Sequence, residues 1–311
     1  MTASAIEVEH LTKNFGSVSA VDDVSFRVAQ GELVGFLGLN GAGKSTTIRI
    51  LTTFLPASSG LASVAGYDVM TQSLDVRANL GYLPESVPLY PELRVVEYLT
   101  MRAKLKRVDR TTRTARIDYC LERCRIAGVR QRLIGTLSKG YRQRVGLADA
   151  MLSDPKILIL DEPLSGLDPI QQEETLGSIR DLRGRHTVLF SSHQLADVEK
   201  ICDRVLIIHR GRLQFDGSLN QIAKRTPSIV VELKADRELA ASHFRSIDGV
   251  QSVAASGLED GWQLISIQAA ERDLREAIAR SCFDRGWALR RVELKREKLE
   301  DTFMKVAYQR G

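Results

Sequence analysis

The pattern of apolar and polar positions predicts strands and helices in alternation. Short apolar or alternating runs indicate strands, and apolar residues recurring every three or four positions indicate helices. The strands predicted before about residue 225 are Ile6–Val8, Val24–Val28, Leu33–Leu37, Ile157–Leu160, His186–Phe190 and Val205–Ile208. The helices predicted there are Lys44–Leu55, Val95–Lys106, Arg113–Ala127, Lys139–Leu152, Ile170–Leu182 and Gln194–Ile201. Three prolines between Gly81 and Pro91 predict an irregular connector. The alternation favours an α/β fold with a largely parallel sheet.

The pattern changes near Thr226-Pro227 and then predicts a β-α-β-β-α-β order. The predicted strands are Ile229–Leu233, Val250–Ala254, Trp262–Ile267 and Leu289–Leu294, and the helices are Glu238–Arg245, Arg272–Arg285 and Glu297–Val306. This order is typical of a small split-βαβ domain. We therefore divide the chain into domains 1–225 and 226–311. The second carries no catalytic pattern, so we expect a dimer-stabilising or regulatory role, with ligand sensing as the alternative.

Composition is that of a globular chain of ordinary charge. Of 311 residues, 43% are hydrophobic and 27% charged, and the formal net charge is +5. Basic residues are dense at Arg102–Arg116 and Arg290–Lys298. Solvated helix faces are the favoured interpretation of these stretches, and contact with anionic lipid or nucleic acid is the alternative.

Cysteine usage and hydropathy indicate a chain that stays in the cytosol. The four cysteines, at positions 120, 124, 202 and 282, match neither a disulfide scaffold nor a zinc pattern, so we expect reduced thiols. The first residues lack the pattern of a signal peptide. Apolar runs fall far short of the roughly 20 residues that a membrane helix needs. Any role at a membrane would require a partner.

The turn after Leu33–Leu37 is rich in glycine and leads into a predicted helix. It fits G-x-x-x-x-G-K-[ST], and its residues are Gly38, Leu39, Asn40, Gly41, Ala42, Gly43, Lys44 and Ser45, followed by Thr46. Glycines let the backbone curl closely around a phosphate chain, and the helix directs its positive dipole end at the anion. Lys44 can reach the β- and γ-phosphates, and the Ser45 hydroxyl can bind Mg²⁺. The turn predicts a nucleotide phosphate site.

Two adjacent carboxylates follow the apolar run Ile157–Leu160. Asp161 and Glu162 should lie at the carboxyl edge of the sheet, where ligands bind in open α/β folds. We expect Asp161 to hold Mg²⁺, usually through water. We expect Glu162 to polarise the water that attacks the nucleotide.

Further segments, in order with these two, resemble the ATP-binding-cassette (ABC) ATPases. Leu137-Ser138-Lys139-Gly140-Tyr141-Arg142-Gln143-Arg144 resembles the family's signature, commonly L-S-G-G-Q. Ser165-Gly166-Leu167-Asp168 resembles the D-loop, and Ser191-Ser192-His193 resembles the switch-histidine segment. Phe15-Gly16 stands where the family keeps an aromatic residue for adenine. The resemblance covers roughly residues 5–225.

The resemblance implies a phosphate-loop NTPase core with a parallel sheet, an antiparallel β subdomain and a helical subdomain, joined to a small C-terminal α+β (ferredoxin-like) domain. It implies ATP and Mg²⁺ as cofactors. It also implies that two copies meet head to tail, so that ATP on one phosphate loop is closed over by the other copy's signature. The signature residues would be Ser138, Lys139, Gly140 and Tyr141, with Asp168 in the D-loop.

The resemblance also assigns roles to two rings. His193 would contact the γ-phosphate and hold the attacking water with Glu162, and Phe15 would stack on adenine. Taken alone, Phe15 is often a core residue and His193 carries little information.

The chain departs from the family's pattern at two places. Glu85 stands where the family's lid usually has glutamine, and a carboxylate there can still bind Mg²⁺ but donates no hydrogen bond unless protonated. Lys139 and Tyr141 replace the glycine and glutamine of the signature. These substitutions resemble a bacterial exporter subgroup that includes drug-resistance, gliding-motility and copper-site maturation transporters.

The function that the resemblance implies is that of the ATP-hydrolysing subunit of an ABC transporter. The region Glu85–Lys106 would receive a separate membrane permease, and the chain would lie at the inner face of the plasma membrane. No nucleic acid is expected as a partner. A non-transport cassette ATPase acting on DNA or the ribosome is the alternative, but such proteins usually carry coiled-coil insertions or two cassettes.

Overall fold

The computed structural model describes residues 4–219, 228–269 and 273–295. Contacts divide the described residues into two compact units, one formed by residues 4–219 and the other by the described residues from 228 to 295. The predicted boundary at about residue 225 and the predicted helix Glu297–Val306 lie outside the described residues. The two units are considered separately below.

The first unit alternates strands and helices along most of its length. Its strands are β1 (Ser4–Phe15), β2 (Val18–Ala29), β3 (Leu33–Leu37), β4 (Ser59–Val64), β5 (Tyr67–Asp68), β6 (Leu80–Leu83), β7 (Ile157–Leu160), β8 (Thr187–Ser192), β9 (Arg204–His209) and β10 (Arg212–Ser218). Its α-helices are α1 (Lys44–Leu51), α2 (Ser73–Asn79), α3 (Val95–Leu105), α4 (Arg113–Arg123), α5 (Lys139–Met151), α6 (Pro169–Arg180) and α7 (Leu195–Ile201). Short 3₁₀ turns occur at Ala127–Val129 and Ile134–Thr136.

Most predicted elements of this unit are confirmed, and the exceptions are short or amphipathic. The connector predicted from Gly81 is wrong at its start, because Gly81 to Leu83 belong to β6, which pairs with the buried strand β7. Four elements were absent from the prediction, namely β4, β5, α2 and β10. Helix α1 ends at Leu51 and α4 at Arg123, each four residues before the predicted end.

A central sheet positions the ends of the strands that carry the motifs. Its order is β10-β9-β3-β8-β7-β6, and every neighbouring pair is parallel except β10 with β9. Strands β3, β8 and β7 are adjacent, so their carboxyl ends share one edge. The glycine turn, His193 and the acidic pair follow these strands. Parallel pairing therefore brings together three segments that are far apart in sequence.

A second sheet has the order β2-β1-β4-β5 and is antiparallel. Alternating side chains of β1 and β2, such as Leu11 and Val24, are fully buried. They share a core cluster with Ile48 and Leu51 of α1. Helices α3, α4 and α5 pack against one another separately. The first unit thus contains the antiparallel and helical subdomains that the resemblance implied.

The second unit is a ferredoxin-like α+β domain. Its elements are β11 (Ser228–Lys234), α8 (Arg237–Arg245), β12 (Val250–Gly257), β13 (Trp262–Ala269), α9 (Arg275–Asp284) and β14 (Ala288–Lys295). The strand order is β12-β13-β11-β14, with antiparallel neighbours. Apolar residues of β11 and β13 form a core with Phe244 of α8 and Ile278 of α9. The predicted β-α-β-β-α-β order is confirmed.

All four cysteines are free and buried, as expected for reduced thiols. None of the described helices combines the length with the apolar character that crossing a membrane requires.

Candidate active site

The glycine turn between β3 and α1 has a backbone shape that requires glycine. Gly43 has a φ of 108°, and a Cβ there would lie 2.6 Å from the carbonyl oxygen of Ala20. A Cβ at Gly38 would lie 2.6 Å from the carbonyl oxygen of Ile208. The turn therefore packs closely against Ala20 and Ile208, and the free N–H groups at the start of α1 suit an anion.

The turn forms one wall of a cavity of about 380 Å³. The lining residues are Ala20, Leu39, Asn40, Gly41, Ala42, Gly43, Lys44, Ser45, Thr46, Glu85, Glu162, Ser165 and His193. The structure thus brings most of the predicted phosphate, metal and catalytic residues to a single cavity. Gly38 is connected to it through a hydrogen bond from Lys44, and Asp161 is adjacent to Glu162.

Lys44 is held inside the turn, with only 5% of its side chain exposed. Its ammonium donates a hydrogen bond of 2.6 Å to the carbonyl oxygen of Gly38. The same Nζ lies 3.2 Å from Oε1 of Glu162. A triphosphate that enters the cavity would meet a cation already oriented between the turn and the acidic strand end.

The Glu162 side chain is oriented by its neighbours on the adjacent strand. Its backbone has a φ of 46°, a left-handed conformation that is uncommon for residues other than glycine. Its N–H donates to Oγ of Ser191 at 2.8 Å, and its Oε2 lies 2.8 Å from Nδ1 of His193. Its Oε1 is buried and forms no hydrogen bond with any described residue. One carboxylate oxygen is therefore anchored by His193, and the other faces the Lys44 ammonium at 3.2 Å without a hydrogen bond from the described residues.

Asp161 experiences an environment that disfavours its negative charge. Burial raises the pKa of its carboxyl, and the hydrogen bond from the Ser191 hydroxyl, at 2.8 Å, opposes that shift. The negative charges of Glu162 and Glu85 raise the pKa further, and Lys44 lowers it. A bound cation would relieve this repulsion.

Ser191 was missed as a site residue by the sequence analysis, which assigned a role only to His193 in that segment. Its hydroxyl donates to Oδ1 of Asp161 and accepts from the N–H of Glu162. It thereby fixes the acidic pair from β8, the strand next to β7. The signal that could have found it is its place at the end of the strand that carries the histidine.

Phe15 lies at the end of β1 and is 51% exposed. Its ring has the ammonium of Lys13 at 5.2 Å from the centroid. It lines a different and larger cavity of about 830 Å³, which we call the subdomain groove. The groove residues are Phe15, Thr46, Arg49, Phe54, Leu55, Leu80, Tyr82, Pro84, Ser86, Val87, Pro88, Tyr98, Arg102, Lys106, Gly146 and Asp149. An exposed ring near Thr46 is available for stacking, and the core alternative does not apply to it.

The signature residues lie at the N-terminus of α5, away from the phosphate cavity. Ser138 caps the helix by accepting from the N–H of Tyr141 at 3.3 Å. The N–H of Gly140 donates to Oε1 of Gln171 on α6 at 3.0 Å. None of the described residues 138–141 lines the phosphate cavity of its own chain.

The remaining signature and D-loop residues link α5 with α6. Lys139 is exposed. Its ammonium lies against Gly166 of the D-loop, so close that a Cβ at Gly166 would be 2.3 Å from Nζ. The ring of Tyr141 lies 4.5 Å from the guanidinium carbon of Arg144. Asp168 caps α6 and accepts from the N–H of Gln171 at 2.9 Å. The two helix N-termini are thus held side by side, with a lysine beside the D-loop.

Comparison with known proteins gives matches over the whole chain. A family model described as ABC transporter matches residues 21–165. The Bacillus subtilis (strain 168) protein YxlF, an uncharacterized ABC transporter ATP-binding protein, is 33% identical over 303 residues, covering 97% of this chain and 99% of that protein. The daunorubicin resistance ATP-binding protein DrrA3 of Streptomyces coeruleorubidus is 31% identical over 309 residues, covering 98% and 96% of the two chains.

Solved structures match about 70% of the chain. A structure of an ATP-binding subunit of an ABC transporter has a TM-score of 0.65 and 32% identity, and the match covers 71% of this chain and 93% of that one.

Proposed function

Because the chain belongs to the ABC transporter ATP-binding proteins, it is an ATPase subunit that energises transport, and we propose that Glu162 is its general base and that two copies enclose the ATP. The observation that carries this proposal is the orientation of Glu162. One of its oxygens is anchored by His193 at 2.8 Å, and the other lies 3.2 Å from the ammonium of Lys44. A carboxylate in this position can accept a proton from water beside a bound γ-phosphate.

Mg²⁺ fits the residues of this cavity. Among the described residues, no group of three or more His, Cys, Asp or Glu side chains forms a metal site by itself. Mg²⁺ is commonly bound by one or two carboxylates together with substrate phosphates and water. The repulsion at Asp161 supports a site that accepts a cation. We propose Ser45, Glu85 and Asp161 as the residues that hold it, where it would neutralise charge on the phosphates.

The second copy supplies what the phosphate cavity of one chain lacks. The N-terminus of α5 presents Ser138 and the signature backbone without contacting the chain's own cavity. A helix N-terminus favours an anion. We propose that Ser138, Lys139, Gly140 and Tyr141 of each copy close over ATP on the other, with Asp168 at the same interface. Such contacts exist only in the closed dimer, so ATP binding would shift the chain towards it.

The replacement of Glu162 by glutamine tests the proposal. Glutamine retains the shape of the side chain but cannot accept the proton, so turnover should fall by at least about a hundredfold. ATP binding should persist, and light scattering should show an ATP-dependent dimer. The matched control is Glu122→Gln, an exposed position on α4, which should leave turnover unchanged. Full ATPase activity in Glu162→Gln would exclude Glu162 as the base, whereas lost turnover without a dimer would contradict only the paired assembly.

The subdomain groove is our proposed site for the membrane permease. It lies between the phosphate loop side, at Thr46 and Arg49, and the helical subdomain, at Tyr98 and Arg102. Its position beside Glu85 would let motion of the lid segment reach the partner. We propose, accordingly, that the chain is a peripheral subunit at the inner face of the plasma membrane. Phe54, a groove residue that is 75% exposed, offers a test. Phe54→Asp should abolish co-purification with the permease and leave the ATPase activity of the isolated chain unchanged.

A further inference from the structure

Basic and apolar side chains are exposed together where α3 ends. Leu105, the last residue of α3, is 67% exposed. Lys104, Arg107 and Arg110 are exposed around it. We call these four residues the α3 patch. An exposed leucine surrounded by cations is typical of surfaces that contact the headgroup region of a membrane.

The cations of the α3 patch differ from their neighbours in having no ion pair with the residues that the structure describes. Arg102 and Lys106 both pair with Asp149, at 3.0 and 3.1 Å. By contrast, the side chains of Lys104, Arg107 and Arg110 form no ion pair or hydrogen bond with any residue of the described chain.

One acidic side chain lies within the patch segment. The Asp109 carboxylate accepts hydrogen bonds from Thr111, including one of 2.7 Å from its N–H. The three cations of the α3 patch and the Asp109 carboxylate therefore leave a net charge of +2. This excess is available to an external anion.

The backbone holds the α3 patch in place. The N–H of Arg107 donates to the carbonyl oxygen of Lys104 at 3.0 Å, and the N–H of Val108 donates to that of Ala103 at 2.9 Å. Arg107 itself has a φ of 57°, which ends the helix. The guanidinium of Arg113 donates to the carbonyl oxygen of Val108 at 2.9 Å. A surface presented by a fixed turn loses little conformational entropy when it binds.

The α3 patch adjoins the subdomain groove. Lys106 lines that groove and also a second cavity of about 520 Å³, which Arg107 and Arg116 line as well. If the groove receives a membrane subunit, as proposed above, the patch would be on the side of the chain that meets that subunit. We propose that the α3 patch binds the anionic surface of the membrane, with Lys104, Arg107 and Arg110 near lipid phosphates and Leu105 at the headgroup boundary. The proposal depends on the proposed function only for this placement.

The α3 patch by itself binds a membrane weakly. It becomes effective when the chain is also attached to a permease. Each Lys or Arg near an anionic surface contributes modestly, and the contribution falls with salt. For a subunit already attached to a permease, the patch acts at high effective concentration. It would orient the subunit against the bilayer as the copies open and close.

Vesicle co-sedimentation of the full chain tests the inference. The probes are vesicles of phosphatidylcholine alone and of phosphatidylcholine with about a third phosphatidylglycerol. We expect the wild-type chain to bind only the anionic vesicles and to be released at high salt. The triple variant Lys104→Glu, Arg107→Glu, Arg110→Glu should bind at least about a hundredfold more weakly, given the effect of a single basic residue.

Two further variants distinguish an effect of the α3 patch residues from an effect of the chain's net charge. The triple variant Lys156→Glu, Lys234→Glu, Arg245→Glu changes the charge equally at exposed positions elsewhere, and it should bind like the wild type. Leu105→Ser should weaken binding severalfold at an intermediate salt concentration. Absent wild-type binding to anionic vesicles, or equal losses in the two triple variants, would overturn the proposal. An unchanged Leu105→Ser would overturn the role of the leucine.

The expected binding to vesicles does not depend on ATP hydrolysis. The Glu162→Gln variant should bind anionic vesicles as the wild type does, whether or not its turnover falls. Vesicle binding that is lost in the α3 patch variant while ATP turnover persists would support the patch. Full turnover in Glu162→Gln with intact vesicle binding would instead contradict the role proposed for Glu162 and leave the α3 patch proposal unaffected.

Discussion

At the scale of single residues, Glu162 owes its orientation to two neighbours. Its left-handed backbone, with a φ of 46°, costs free energy that the surrounding hydrogen bonds compensate. Ser191 binds its N–H, and His193 binds one of its oxygens. Such strain holds a reactive side chain in a single orientation before the substrate arrives. The catalytic assignment therefore depends on side chains from two adjacent strands.

Glu85 is the residue whose chemistry departs most clearly from the family's pattern. It lines the phosphate cavity, and its charge acts on Asp161. A third carboxylate makes the cavity more repulsive to metal-free ATP, whereas Mg²⁺ turns that repulsion into a favourable contact. The substitution should therefore make nucleotide binding depend more strongly on the metal.

The variant Glu85→Gln tests this dependence. We expect the ratio of the Kd for ATP in EDTA to the Kd in Mg²⁺ to shrink by about tenfold, which corresponds to about 1.4 kcal/mol of relieved repulsion. Calorimetric titration of the inactive Glu162→Gln background measures both constants without turnover. Glu92→Gln is the control, because this exposed residue is not among those lining the cavity. Equal ratios in Glu85→Gln and its parent would contradict a metal-linked role.

At the scale of elements, the N-termini of α5 and α6 form one structural unit. Gln171 joins them, because its side chain accepts from Gly140 and its N–H donates to Asp168. A Cβ at Gly140 would lie 2.3 Å from Oε1 of Gln171, so the glycine allows this contact. A ligand that binds the signature backbone would therefore contact a unit that also includes the start of α6.

Removing the side-chain cap of α5 should show whether Ser138 acts in dimerisation as well as in the stability of the fold. In the Glu162→Gln background, Ser138→Ala should cost about 1 kcal/mol of stability and weaken the ATP-dependent dimer. Asp236→Ala is matched to it, since Asp236 caps α8 by accepting from the N–H groups of Glu238 and Leu239. It should cost a similar amount of stability and leave the dimer intact. Thermal unfolding and light scattering measure the two effects, and identical dimer constants for the two variants would refute the proposed role of Ser138.

At the scale of the whole molecule, each of the two compact units has a core of its own. Leu189 is buried in the central sheet, and Phe244 is buried between the helices and sheet of the second unit. The phosphate cavity lies entirely in the first unit. Nucleotide binding should therefore stabilise the first unit directly, because a ligand stabilises the state that binds it.

Calorimetry can show whether the units unfold separately. Leu189→Ala and Phe244→Ala should each cost about 3 kcal/mol and lower different thermal transitions. In the Glu162→Gln background, Mg²⁺ and ATP at about a thousandfold the Kd should raise the first unit's transition by about 4 kcal/mol of stability. The transition that Phe244→Ala lowers should not move with nucleotide. A single transition shifted by both variants would contradict independent units.

The local chemistry and the long elements can be predicted from the order of the amino acids alone. The glycine turn, the acidic pair and the signature segment are contiguous, so their residue types are visible without a structure. Long apolar periods also predicted the buried strands and the helices α3 to α6. The resemblance then implied the family, because several motifs in a fixed order are highly specific.

How these segments meet depends on contacts that form only when the chain folds. The short strand β6 was obscured by the prolines after it, and its pairing with the buried strand β7 determines its conformation. The role of Ser191 arises from the adjacency of β7 and β8, which no local pattern encodes. The free charge of Lys104 and the paired charge of Arg102 are likewise indistinguishable in sequence, since only the fold places Asp149 beside one of them. Local preferences act within a few residues, whereas burial and ion pairing depend on partners that the chain brings together by folding.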